Sequence, residues 1–236
     1  MYSGDVSRHV AARWNSLPDI FERWAVSNAV FALAGAAVCL GLRDLRPALF
    51  VGLSSLTWFW LRAAPSGVGI ASAITATRTG ILVAALGLVP DRGTWIAVAA
   101  LANFALDGID GWVARKLGQT SAFGARFDME SDSHTVLWLD LQLVIHSGYP
   151  VWVLWAGVLR YAFVLSRFVV DPCEFRERRS NYTRWVFSLV FVSRTFACLP
   201  DMREFALPLL AVATLAVSAS FAPDFWALRS ARRAAP

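Results

Sequence analysis

DGIDGWVARKLGQTSAFGARFDMESD, residues 107–132, sets four aspartates and a glutamate between two apolar runs. TWIAVAALANFAL leads into it, and TVLWLDLQLVI follows after Ser133 and His134. Asp107 and Asp110 stand at i and i+3, and Asp128 and Asp132 at i and i+4, so on helices each pair shares a face. The first pair closes one apolar run and the second opens the next, so a short connection brings the two faces together. Two carboxylates about 5 Å apart repel by roughly 3 kcal/mol at an effective dielectric near 20. A set of this size beside hydrocarbon therefore needs positive charge, and Arg115 with Lys116 does not offset all of it. Divalent cations do. An all-oxygen carboxylate set selects hard ions, Mg²⁺, Mn²⁺ or Ca²⁺, over zinc.

The small residues of the stretch add to this. Gly111 follows Asp110 at a helix position where glycine costs about 1 kcal/mol relative to alanine. With Ala114 it opens a groove beside the carboxylates, and Arg115 at its end suits a phosphate. Gly124 clears space ahead of Asp128. Cations, groove and arginine together describe a ligand carrying a pyrophosphate.

The rest of the chain places this stretch in a membrane. Of 236 residues 57% are hydrophobic and only 17% charged, against about 25% charged in soluble chains. The apolar residues are gathered into eight candidate spans, at 25–42, 47–61, 68–90, 94–114, 124–146, 149–170, 184–200 and 205–223. A span needs about 20 residues, so the second and seventh are short. The net charge of +5 sits at the ends of apolar runs, which fits anionic lipid and not nucleic acid. With the N-terminus inside, 15 Lys and Arg fall in cytoplasmic segments and 4 on the other side, while Arg78, Arg160 and Arg194 lie within spans. That bias predicts a multi-pass cell-membrane protein with both termini and the aspartates cytoplasmic. No CxxC or paired Cys/His spacing joins Cys39, Cys173 and Cys198, so neither a disulfide framework nor a zinc site is expected. Residues 5–24 suit an interfacial helix or a partly ordered tail, and the basic run at 175–184 reads as a topology determinant. Trp95, Trp112, Trp152, Trp155, Trp185 and Trp226 lie near span ends, as an aromatic belt does. His134 reads as a packing residue.

The stretch fits D-x-x-D-G-x-x-A-R, eight residues, G-x-x-x-D-x-x-x-D at every fixed position: Asp107, Asp110, Gly111, Ala114, Arg115, Gly124, Asp128 and Asp132. In this it resembles the CDP-alcohol phosphotransferase (CDP-alcohol phosphatidyltransferase) family. The resemblance implies an all-α integral membrane protein with a six-helix core, here preceded by two additional transmembrane helices. The expected division is a cytoplasmic or interfacial segment at 1–24, the two extra helices at 25–66, a catalytic membrane domain at 67–225 and a basic cytoplasmic tail at 226–236. It further implies that the phosphatidyl group of CDP-diacylglycerol, or the corresponding part of another CDP-alcohol, passes to the hydroxyl of a small polar alcohol with release of CMP. By the family pattern Asp107, Asp110, Asp128 and Asp132 form a metal site for Mg²⁺ or Mn²⁺, two ions per site. Asp132, beside Asp128, is then the catalytic base. Gly111, Ala114, Arg115 and Gly124 would border the CDP moiety, and family members are commonly homodimers.

The family also carries P-N-x-x-T-x-x-R at its first core helix. Here ASAITATR at 71–78 keeps Thr75 and Arg78 but has Ala71 and Ser72 in place of the Pro-Asn pair. Thr75 is accordingly expected at the nucleotide. Asp140 has two readings: an ion pair with Arg160 or Arg194, or two free arginines that bind a phosphate on the acceptor. Two other functions compete. One transfers a phospho-alcohol from CDP-choline or CDP-ethanolamine to diacylglycerol; the other is a non-enzymatic divalent-cation transporter, which would carry its acids mid-span rather than at one membrane face.

Overall fold

The computed structural model describes residues 20–63, 69–118, 120–170 and 181–234. Among the described residues the chain forms eight α-helices and no strand. In order they are α1 (Ile20–Leu42), α2 (Arg46–Ala63), α3 (Ile70–Leu88), α4 (Gly93–Lys116), α5 (Ala122–Ile145), α6 (Trp155–Val170), α7 (Asn181–Ala197) and α8 (Arg203–Ala234), with a 3₁₀ turn at Val151–Leu154 leading into α6. Residues 5–19 of the expected interfacial segment, and 175–180 of the basic run, lie outside the described residues. Every expected span is a helix. α8 continues past its expected end at 223 because the segment Trp226–Ala234 is rich in Ala and Arg, both strong helix formers.

The ends of the helices are written locally. Ser121 caps α5 by accepting a hydrogen bond from the Gly124 amide at 3.0 Å. Gly118, with φ +64°, follows the end of α4 in the left-handed conformation that glycine adopts without steric cost. These two signals produce the tight connection that turns α4 into α5 and so brings the aspartate pairs together.

The chain is a multi-pass membrane protein. Five segments are long and apolar enough to cross a bilayer: α1, α3, α4, the 3₁₀ turn with α6, and α8. α2 and α7, at 18 and 17 residues, are shorter and are not among these five. α5 is different, being long but polar for a span. Every residue from Ser133 to Leu143 is buried, because α1, α2, α3, α6 and α7 all pack around it. The surrounding helices, not lipid, solvate its Ser133, His134, Thr135, Asp140 and Gln142, which is where polar groups inside a membrane are tolerated. Outward-facing Phe50, Leu61, Leu101, Leu215 and the six tryptophans of the expected belt are exposed. α6 meets α5 at Gly157, where an added Cβ would stand 2.7 Å from Leu137 Cα.

Candidate active site

Arg78 sits at the centre of the acidic cluster. It comes from the middle of α3 and is 1% exposed. Its Nε donates to Asp110 Oδ2 at 3.2 Å and its Nη1 to Asn103 Oδ1 at 3.0 Å, both on α4. Its Nη2 reaches Asp128 Oδ1 at 2.6 Å and Asp132 Oδ1 at 3.0 Å on α5, and lies 2.9 Å from Asp107 Oδ1. An Nη nitrogen carries two protons, so the third of these carboxylates is held by charge alone. All four aspartates of the motif thus converge on one guanidinium at one end of the bundle.

That guanidinium does not balance them. Four carboxylates against one arginine leave a formal charge of −3. Oxygens of Asp107, Asp110 and Asp128 all lie within 4.8 Å of one another, close enough to be drawn onto one hard cation. The side chains of Asp107 and Asp128 are 31% and 39% exposed, whereas Asp110 and Asp132 are at 6% and 16%. The cluster therefore opens through Asp107 and Asp128 and is anchored through the other two. An oxygen-only donor set with surplus negative charge and an open side fits a divalent ion.

The smaller motif residues frame this opening. Arg115 is exposed, and its Nη1 lies 3.3 Å from the point where a Cβ on Gly111 would stand, so the guanidinium folds back over the glycine. Ala114 lies on the same stretch of helix and is half-buried. A Cβ on Gly124 would stand 3.3 Å from Oγ of the capping Ser121 and 3.5 Å from Ser72 Oγ, so the start of α5 lies against α3 at this glycine.

Three of the residues considered for the site are held by partners within the folded chain. Thr75, expected at the nucleotide, is buried, and its hydroxyl donates to Asp110 Oδ2 at 2.8 Å. It supports an aspartate rather than standing open to a ligand. Of the two readings of Asp140, the ion pair is the one formed: Arg194 Nε donates to Asp140 Oδ1 at 3.0 Å, and neither side chain is exposed. A buried arginine so engaged cannot leave its partner uncompensated in order to meet a soluble phosphate. Arg160, the other candidate, donates to Glu130 Oε1 at 2.6 Å. Two participants lacked a place in the expected site, Asn103 and Arg78. The signal for Arg78 was in the sequence: an arginine inside an apolar span is costly and demands a partner. For Asn103 no such signal exists. A cavity of about 420 Å³ lies elsewhere, at the opposite end of the bundle among Asp91, Arg92, Tyr149 and Arg203.

Fold and site together define an all-α membrane protein with an aspartate cluster, able to hold a divalent metal, at one end of its helices. The chain belongs to the CDP-alcohol phosphatidyltransferase family, which matches residues 68–222, from the lead-in to α3 well into α8. It is also similar to CDP-diacylglycerol–inositol 3-phosphatidyltransferase 1 of Arabidopsis thaliana, at 28% identity over 102 residues. That similarity covers 41% of this chain and 44% of the relative, so the chain spans less than half the length of the relative it matches. No solved structure matches.

Proposed function

We propose that the protein transfers the phosphatidyl group of CDP-diacylglycerol to the hydroxyl of a small polar alcohol, releasing CMP. The observation that carries this reading is the convergence of Asp107, Asp110, Asp128 and Asp132 on one end of α4 and α5, with oxygens of the first three within 4.8 Å of one another. Residues 67–225 form the catalytic unit in this reading, and the acidic end faces the cytoplasm, a placement that the charge bias supports.

Asp107, Asp110 and Asp128 would hold the divalent ion, Mg²⁺ or Mn²⁺, with Asp132 completing the set. When bound, such an ion neutralises a pyrophosphate and stabilises the departing CMP. The chain's own groups do the rest. Arg115, exposed and folded over Gly111, is placed to take a phosphate oxygen of the CDP moiety. Asp132 accepts the proton of the acceptor hydroxyl as its oxygen bonds to the lipid-bearing phosphorus. The bond from that phosphorus to the CMP oxygen breaks, and CMP carries away the electron pair. Arg78 and Thr75 keep the carboxylates in place.

Engagement of Arg160 and Arg194 by Glu130 and Asp140 removes the support for a phosphorylated acceptor. The relative's name points to inositol, an uncharged polyol, and this acceptor is proposed first. The test is CMP release by purified protein from CDP-diacylglycerol, with Mg²⁺ or Mn²⁺ and with chelator, across inositol, inositol phosphate, glycerol 3-phosphate, serine and choline, with CDP-choline and diacylglycerol as a separate arm. Lipid product with inositol, abolished by chelator and by Asp128→Asn, is the expected result. Absence of CMP with every acceptor and either metal would refute the reading, and product only from CDP-choline and diacylglycerol would reverse donor and acceptor.

A further inference from the structure

The helix that carries Asp128 and Asp132 has a second stripe. Arg126, Glu130, His134 and Trp138 recur every fourth residue of α5 and so keep to one side. This side is two positions, about 200°, round the helix from the catalytic aspartates. Each member meets α1 or α2. Arg126 Nη2 donates to Glu22 Oε1 at 3.0 Å, and Trp138 Nε1 donates to the Ala48 carbonyl at 3.2 Å.

Between these contacts lies Asn28 of α1, 0% exposed. Its Nδ2 donates to Glu130 Oε2 at 2.9 Å. Its Oδ1 accepts from Ser55 Oγ of α2 at 2.6 Å and lies 2.9 Å from His134 Nε2. Since the amide nitrogen faces the carboxylate, Oδ1 must be the acceptor on the other side, which makes Nε2 the protonated nitrogen of His134. Arg160 of α6 closes the second oxygen of Glu130 at 2.6 Å, and Trp24 Nε1 of α1 donates to Ser55 Oγ at 3.1 Å. Packing is as close as the bonding. Trp24 stacks on Phe59 and Phe59 on Phe123, while Gly52 of α2 leaves no room for a Cβ against Trp138.

Apolar packing alone could hold two helices to a bundle, but it would allow rotation and sliding. A buried asparagine with specific partners permits one register, as it does at a coiled-coil seam. Turning α5 by 30° would carry a carboxylate about 3 Å along its arc, more than an oxygen cage around a hard cation tolerates. We infer that Asn28 is a positioning residue for the acidic site. The α1–α2 pair, which precedes the family match at 68–222, keys α5 at one rotation and one height, and so sets Asp128 and Asp132 against Asp107 and Asp110 of α4.

This inference rests on the metal reading of the aspartates, and its test separates the two. Mn²⁺ affinity is measured by the spin-resonance signal of free Mn²⁺ on the purified full chain, without substrates, well below the melting temperature. Asn28→Leu is expected to weaken binding about tenfold and Ser55→Ala about threefold, the scale of one or two lost buried hydrogen bonds. Asp128→Asn is the blank. Gly93→Ala, whose Cβ would strike the Cys198 carbonyl at the far end of the bundle, should lower the melting temperature and leave Mn²⁺ affinity unchanged. Wild-type affinity in both Asn28→Leu and Ser55→Ala overturns the inference and leaves the site intact. If Asn28→Leu does not fold, Ser55→Ala alone decides. A wild-type chain that binds no Mn²⁺ overturns the metal reading and this inference with it.

Discussion

Replacing Arg78 with glutamine should make the fold depend on divalent metal. Its guanidinium lies between 2.6 and 3.2 Å from an oxygen of each of four aspartates, and it is 1% exposed. One charge pair at about 4 Å is worth roughly 4 kcal/mol at an effective dielectric near 20, before the cost of desolvation. Removing one partner of a buried pair costs about 3–5 kcal/mol net, because the other partner stays behind uncompensated. For a chain of this size 1 kcal/mol moves the melting temperature by roughly 2–4 °C. In chelator, Arg78→Gln should therefore melt about 6–20 °C below wild type. Mg²⁺ or Mn²⁺ then supplies the missing positive charge, and ligand at 100 times its dissociation constant returns about 2.7 kcal/mol. The variant should gain more from metal than wild type does. Arg78→Lys keeps the charge but loses the fork that reaches both helices, and should fall between the two. The assay is intrinsic-fluorescence melting in detergent, with chelator and with each metal. A variant that melts with wild type in chelator, or gains no more from metal, refutes the central place given to Arg78.

Three further outcomes follow from separate parts of the bundle. Arg194→Gln should lower stability by about 3–5 kcal/mol and cut the yield of folded protein, with the acceptor KM of the surviving fraction unchanged; a raised KM with normal melting would return Arg194 to the acceptor site. Gly157→Ala should destabilise by about 1–3 kcal/mol in thermal melts, since its Cβ would stand 2.7 Å from Leu137 Cα and the backbone cannot move aside freely. Cys198 is buried, with 5% of its surface exposed. Mass spectrometry should therefore find it unmodified by a maleimide until the protein is denatured.

Much of this molecule is legible in one dimension because its causes are local. Apolar runs of bilayer length mark the helices, and a polar stretch with Ser121 and Gly118 marks the turn between α4 and α5. Helical periodicity puts Asp107 with Asp110, and Asp128 with Asp132, before any packing is known. The positions of α2 and α7 as short helices follow from counting residues. The polarity of α5 is harder, since Asp140, Gln142 and His134 look wrong for a span until the neighbours that bury them are in place.

The sequence by itself determined which segments form helices and which faces of those helices are acidic, because both depend on the spacing of neighbours along the chain. Only the tertiary structure decided which base meets which acid. Arg78 could have stayed apart from the aspartates, and Arg194 could have faced a substrate, yet packing assigns Arg78 to four acids 29 to 54 residues away and Arg194 to Asp140. It likewise placed Asn28 against Glu130, 102 residues on. Such choices depend on the order and rotation of helices around α5. In a medium without water to receive an unmatched charge, the arrangement that pairs every buried ion is the one that persists.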